Sequence, residues 1–176
     1  MKDCRPTTGR VLQALFNILG PIGGVPFLDL FSGTGRVAEE AARRGAEPVV
    51  AVESDRGRGE AIRSRLEGRG VRVLIQDVRR ALPLLARRGE RFGLIFADPP
   101  YDLGWGDLLP GLLGEGHLLA PGGRIVLERS IREEVRLGSL WEREDRRYGD
   151  TVLSFLRLRD PVGAEDARER KEEEQS

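Results

Sequence analysis

Five short apolar runs, separated by stretches of helical patterning, restrict what this chain can fold into. They occupy residues 26–31, 48–53, 71–75, 91–97 and 124–128. Each is too short for a helix and apolar on both faces, which is the pattern of a strand buried in a sheet. Between them the spacing predicts helices. One runs through Ala42 with Val37, Ala38 and Ala41 inward, and Gly45 closes it. Others are expected around residues 60–66, over 78–86 and over the Leu-rich 107–119. An earlier helix, capped at Thr7 or Thr8, runs to Leu19. Strands that alternate with helices pair in parallel, so the chain reads as α/β with a doubly wound sheet. Residues 140–148 and 151–158, joined through Gly149-Asp150, read as a closing antiparallel pair.

The fourth run ends abruptly at Asp98-Pro99-Pro100-Tyr101. Neither proline can donate to a ladder, so the strand stops there and the turn is stiff. A carboxylate, an outward carbonyl and an aromatic ring are thereby held in fixed relation at a strand's carboxyl end, where open α/β sheets bind ligands. That set suits a planar base bearing an exocyclic amino group. Asp98, Pro99 and Tyr101 are the candidate catalytic residues.

Earlier strands each end in an acid: Asp29, Glu53 and Asp77. Parallel strands place all three on one edge. Gly33-Thr34-Gly35 follows the first acid, where glycine lets backbone approach a ligand closely. Gly33, Gly35 and Ala38 fit a loose dinucleotide fingerprint, but that match alone is weak. Asp29 separates the possibilities. It would repel a pyrophosphate and would attract a cofactor carrying an ammonium and a sulfonium, which S-adenosyl-L-methionine does. Glu53 is placed for ribose hydroxyls and Asp77 for an adenine amino group. The cofactor-binding set is Asp29, Phe31, Gly33, Gly35, Glu53, Ser54 and Asp77.

Composition narrows the rest. With 176 residues the chain fits one domain, taken as 1–160, with 161–176 a charged and disordered tail. One cysteine, Cys4, excludes an intramolecular disulfide framework, and one histidine, His117, excludes a histidine-based zinc site. No metal is expected. No signal peptide and no membrane-crossing run is seen, so a cytoplasmic protein without a membrane partner is expected. Net charge is zero, yet residues 160–176 hold seven acids against three bases. The remainder is mildly basic, which permits a nucleic-acid partner.

These residues resemble the bacterial methyltransferases that modify a guanine N2 of 16S ribosomal RNA, of the guanine(966)-N2 type. The resemblance is carried by Arg5-Pro6-Thr7 with residues 14–19, by residues 27–35 and by Arg44-Gly45-Ala46. It continues through Val52-Glu53, Gln76-Asp77, residues 94–101 and Tyr148-Gly149-Asp150-Thr151. Members usually open with a basic β-hairpin, whereas four residues precede Arg5 here. The likeness implies a Rossmann-like class I S-adenosylmethionine-dependent methyltransferase fold, with seven strands, one of them antiparallel. It implies the cofactor along the strand ends, the target base at 98–101, and ribosomal RNA or the small ribosomal subunit as partner of a monomer. Rival readings are a DNA adenine-N6 methylase, disfavoured for want of a target-recognition domain, and a catalytically silent cofactor-binding scaffold. A nicotinamide-dependent oxidoreductase ranks last because of Asp29.

Overall fold

The structure is a computed structural model and describes residues 9–100, 104–115 and 118–159. Helix α1 (Gly9–Leu19) leads into β1 (Phe27–Leu30), α2 (Arg36–Arg43), β2 (Val49–Glu53), α3 (Arg56–Arg65) and β3 (Val71–Ile75). Then follow α4 (Val78–Arg87), β4 (Phe92–Ala97), α5 (Trp105–Glu115), β5 (Leu119–Ser130), β6 (Trp141–Tyr148) and β7 (Thr151–Leu158). The strands form one seven-stranded sheet in the order β3-β2-β1-β4-β5-β7-β6. β7 runs antiparallel to both its neighbours, and the five strands before the closing pair run parallel to one another. The alternation of short apolar runs with helices thus produces the doubly wound architecture expected of it.

Two apolar layers sandwich the sheet, and strand periodicity explains which residue joins which. Phe27, Val49, Ala51, Leu94, Phe96 and Val126 face Leu15 and Phe16 of α1, Ala38 of α2 and Ile62 of α3. Their sequence neighbours Leu28, Val50, Val52, Ile95 and Ile125 face Leu82 and Leu85 of α4 and Leu109 and Leu113 of α5. Burying such a side chain stabilises the fold by ~1.5–3 kcal/mol, before chain entropy is charged against it.

Several element boundaries differ from expectation. α3 begins at Arg56 rather than near Glu60, because the Asp55 side chain accepts the Arg58 N–H and caps the helix there. α5 begins at Trp105, two residues ahead of its expected start, and stops by Glu115. Leu119, expected to end it, opens β5 instead. The Pro121-Gly122-Gly123 segment has the composition of a turn. It is accommodated within β5 as an irregularity, the pairing passing from Phe92 with Leu119 to Leu94 with Arg124.

β6 is exposed on both faces at Glu142, Arg143, Glu144, Asp145, Arg146 and Arg147. Six consecutive charged residues therefore form one edge of the sheet. Among the described residues no helix is long and apolar enough to cross a membrane. The expected Thr7 or Thr8 cap, Cys4, His117 and the 161–176 tail lie outside the described residues.

Candidate active site

Asp29 lies one residue inside β1, which ends at Leu30, and is 1% exposed. It shares a strand face with Phe27 and so points toward α2, where one of its carboxylate oxygens accepts the Ala38 N–H at 3.1 Å. Burial raises its pKa to about 7, against the lowering effect of the Ala38 and Ser32 hydrogen bonds; the Glu53 charge raises it further. A carboxyl group held this way favours any cation placed beside it.

Between Asp29 and α2 the chain turns sharply. Phe31 adopts φ 60°, a left-handed conformation that costs a non-glycine residue energy, and its ring packs edge-on against Trp105 at 5.0 Å. Gly33 and Gly35 follow at φ 56° and 73°. At Gly35 an added Cβ would sit 2.9 Å from two carbons of Ile62, so both the conformation and the space demand glycine.

Glu53 terminates β2 on the same side of the sheet as Asp29 and is 4% exposed. One carboxylate oxygen accepts the Gly33 N–H at 2.8 Å, and the other accepts the Asp55 N–H at 2.8 Å and an Arg58 N–H at 3.0 Å. Ser54, next in the chain, is exposed. Asp77 stands at the start of α4, where its side chain accepts the Arg79 N–H at 2.8 Å; it too is exposed. The three acids therefore differ in kind. Asp29 and Glu53 are buried beneath the glycine turn, while Asp77 caps a helix at the rim.

Asp98 follows β4 and donates its N–H to the Leu30 carbonyl at 3.5 Å, which extends the β1–β4 register by one residue. Parity puts it on the face shared by Phe96 and Asp29. Its pKa is raised to about 8 by burial first and then by the charges of Glu128, Asp29 and Glu133. Pro99 is buried and Pro100 exposed. Tyr101 lies outside the described residues.

Glu128 and Glu133 are the acids that sequence reading did not single out. Glu128 is 5% exposed on β5 and, since Ala97 pairs with Leu127, lies one strand across from Asp98. Glu133 comes from the turn after β5, where its carboxylate accepts the Ser130 N–H at 3.1 Å. The strand parity of Val126 and Glu128 was the available signal for the first; the second depends on how the turn folds back. A cavity of about 240 Å³ opens beside the proline turn, bordered by Pro99, Pro100, Trp105, Arg129, Glu133 and Val135.

In chemical terms, buried acids flank a glycine turn at the ends of β1 and β2, and a proline-stiffened acid stands at the neighbouring end of β4. Among the described residues no group of histidine, cysteine and acidic side chains is arranged to hold a metal ion.

Known proteins share this architecture and sequence. Residues 1–157 match the family described as conserved hypothetical protein 95. A candidate ribosomal RNA methyltransferase of Bacillus subtilis, YlbH, is 33% identical over 162 residues, covering 88% of each chain. Ribosomal RNA small subunit methyltransferase D of Escherichia coli is 29% identical over 168 residues, 93% of this chain and 83% of its own length. Among solved structures, a hypothetical protein of Thermus thermophilus is 34% identical with a TM-score of 0.74, covering 88% of this chain and 89% of that one. A candidate methyltransferase of E. coli, YhhF, superposes with a TM-score of 0.75 at 25% identity, over 90% and 92% of the two chains. Sequence and fold agree, and the chain belongs to the conserved hypothetical protein 95 family, the bacterial small-subunit ribosomal RNA methyltransferases that its motifs resemble.

Proposed function

We propose that this chain transfers a methyl group from S-adenosyl-L-methionine to the exocyclic N2 of a guanine in 16S ribosomal RNA, as a cytoplasmic monomer. The observation that carries the reading is the placement of Asp29 and Asp98 on one sheet face at adjacent strand ends, both held above the ordinary carboxylate range.

The residues fit the cofactor. Asp29 beneath the turn is a buried acid whose ionised form a cation stabilises, and Gly33 and Gly35 admit a ligand close to the backbone. Phe31, Glu53, Ser54 and Asp77 complete the set, with Glu53 toward the ribose and Asp77 toward the adenine. Once bound, the cofactor supplies an electrophilic methyl on a positively charged sulfur.

The chain's own task is alignment and charge. A guanine N2 is a poor nucleophile because its lone pair is delocalised into the ring. With a cation beside it Asp98 ionises in the neutral range, and together with the Pro99 carbonyl it accepts hydrogen bonds from the two N2 protons. The nitrogen becomes more tetrahedral and its lone pair turns toward the methyl. When the methyl passes from sulfur to N2, the nitrogen would release one proton, which Asp98 would accept and return to water. Tyr101 stacks on the base, a contact worth ~1–3 kcal/mol in single-strand binding. The base must be unpaired or turned out of its stack to reach this edge. The charged outer strand β6 supports the single-copy state, since a row of charges resists pairing with a second sheet.

The test is transfer of labelled methyl to unmodified small ribosomal subunits, naked 16S RNA and duplex DNA, followed by identification of the base. N2-methylguanine in RNA is expected, and Asp98→Ala is expected to abolish it while cofactor binding remains. Label found only as N6-methyladenine in DNA, or near wild-type turnover by Asp98→Ala, would overturn the reading.

A further inference from the structure

Glu128 is a buried acid for which the transfer as described has no use. It is 5% exposed near the end of β5, a strand paired on both sides, with β4 through Leu127 and Ala97 and with β7 through Glu128 itself and Leu153. Its side chain takes the sheet face of Val126, which is also the face of Asp29 and Asp98. Asp98 follows Ala97 as Glu128 follows Leu127, so the two carboxyl groups stand side by side on strands ~5 Å apart. Arg129, the next residue, turns to the opposite face, where Ser154, Asp145 and the Ser130 and Glu133 carbonyls take its nitrogens. Acids therefore dominate the surroundings of Asp98. Burial first, then Glu128, then Asp29 and Glu133, raise its pKa to about 8. Tyr148 of β6 packs against the same apolar layer. Positive charge at this end comes from helix starts: Arg10 of α1 and Arg36 of α2 are exposed, and Arg58 of α3 donates to Glu53. Of the charges that act on Asp98, that of Glu128 is the largest.

We propose that Glu128 is a positioning residue of the transfer that acts through Asp98: its carboxylate, fixed beside Asp98 on the next strand, makes Asp98 the group that takes the N2 proton. The assignment rests on the guanine-N2 reading. Before transfer Asp98 faces a bound cation, which offsets Glu128 and leaves Asp98 ionised to hold the amino group. The methyl passes from sulfur to N2, and the positive charge passes with it from sulfur to nitrogen. Asp98 then stands among acids with no cation on the cofactor side, so its hold on a proton strengthens. It takes one proton from N2, whose N–H electron pair returns to the nitrogen, and a neutral methylated guanine is left. Asp98 finally gives the proton to water. Glu128 touches neither reactant in this scheme. Its contribution is a fixed charge on a strand held from both sides, so no rearrangement is needed at the moment of reaction.

The experiment reads Asp98 twice. In the ligand-free protein, isotope-labelled aspartate carboxyl carbons are titrated by NMR, and Asp98 is assigned by its absence from Asp98→Asn. Wild type is expected to titrate at about 8. Glu128→Gln and Glu128→Ala both remove the charge but differ in shape, and each is expected to lower that midpoint by at least about 1 pH unit. Glu128→Asp keeps the charge and is expected to stay within about 0.5 pH unit of wild type. The second reading is single-turnover methyl transfer from labelled S-adenosyl-L-methionine to unmodified small ribosomal subunits, followed from pH 5 to 9. The acid limb of the rate is expected to move to lower pH by the same amount in both neutral variants, with a plateau ~3–10-fold lower. A midpoint that stays put in the neutral variants would overturn the proposal. So would a midpoint that moves while the acid limb does not, or a Glu128→Asp protein displaced as far as the neutral ones. Failure of wild type to form N2-methylguanine at any pH would overturn the functional reading and the role of Glu128 with it; the titration, which needs no substrate, tells the two failures apart.

Discussion

Gly33 donates its backbone N–H to the carboxylate of Glu53 at 2.8 Å, so an acid at the end of β2 holds the turn that follows β1. The same carboxylate accepts the Asp55 N–H, which precedes α3. One side chain thus ties two strand exits together before any ligand is considered. Replacing it by glutamine leaves one acceptor and turns an N–H donor toward a second donor. Glu53→Gln is expected to weaken cofactor binding by about 10–100-fold and to destabilise the fold by about 1–3 kcal/mol. Calorimetric titration and a thermal melt check the two effects separately; unchanged values in both would remove Glu53 from the site.

Arg58 shares Glu53 with the turn, at 3.0 Å, and its own side chain is about half exposed. An exposed partner adds little, about 0–1 kcal/mol. In the proposed complex it competes with ribose hydroxyls for the same oxygen. Arg58→Ala is therefore expected to tighten cofactor binding, by no more than about fivefold. A loss of affinity would instead make Arg58 part of the cofactor site.

Gly35→Ala would force a Cβ against Ile62 in a left-handed conformation. The expected cost is about 1–3 kcal/mol, seen as a lower denaturation midpoint with an unchanged slope. Judged against Ile62→Ala alone, adding Ile62→Ala, which removes both γ carbons, should recover the steric part and leave the conformational part. No recovery at all would mean that conformation alone sets the requirement.

The two raised aspartates give stability a definite pH dependence. Asp29 and Asp98 move from an ordinary 3.8 to about 7 and about 8. Between about pH 4 and 8 the native protein therefore binds more protons than the unfolded chain, and stability falls as pH rises through that window. Asp98→Asn removes one such group and should raise the melting temperature at pH 8.5 by ~2–6 °C while flattening the profile. A thermal-melt series from pH 5 to 9 tests this, and a stability that rises with pH would contradict it.

Cofactor binding should show the opposite slope. If the bound cation requires Asp29 ionised, affinity rises as pH climbs through about 7, gaining severalfold to about tenfold between pH 6 and 7.5. Binding should release protons near neutrality, detectable as a dependence of the calorimetric heat on buffer ionisation enthalpy. Asp29→Asn should lose that dependence. Heats independent of buffer in the wild type would argue that Asp29 stays protonated.

Much of the fold could be read from residues because buried parallel strands impose short, doubly apolar runs. The proline stop was equally legible, since neither proline can donate to a ladder, and the places of Asp29 and Glu53 near the ends of β1 and β2 followed from the same runs. Less visible was what each acid does locally. Asp77 and Asp55 are helix caps, a role decided by a φ/ψ pair and one neighbouring N–H. Glu128 could be seen only once β5 was registered against β4, and Glu133 only once Arg129 had folded the turn back. The start of β5 was misread because Pro121-Gly122-Gly123 has the composition of a turn, while its irregular pairing with β4 is a tertiary fact.

The strand that completes the sheet is also the last among the described residues. β7 lies between β5 and β6 rather than at the margin. As the chain leaves the ribosome, β1 to β5 can pair in turn, but the outer side of β5 stays open until Thr151–Leu158 arrives. The strand then offering its unpaired backbone is the apolar segment around Ile125, Val126 and Leu127, whereas the charged β6 takes the margin only through β7. The half of the molecule that carries the glycine turn and Asp98 is thus synthesised first, and becomes safe from association only with the final hairpin.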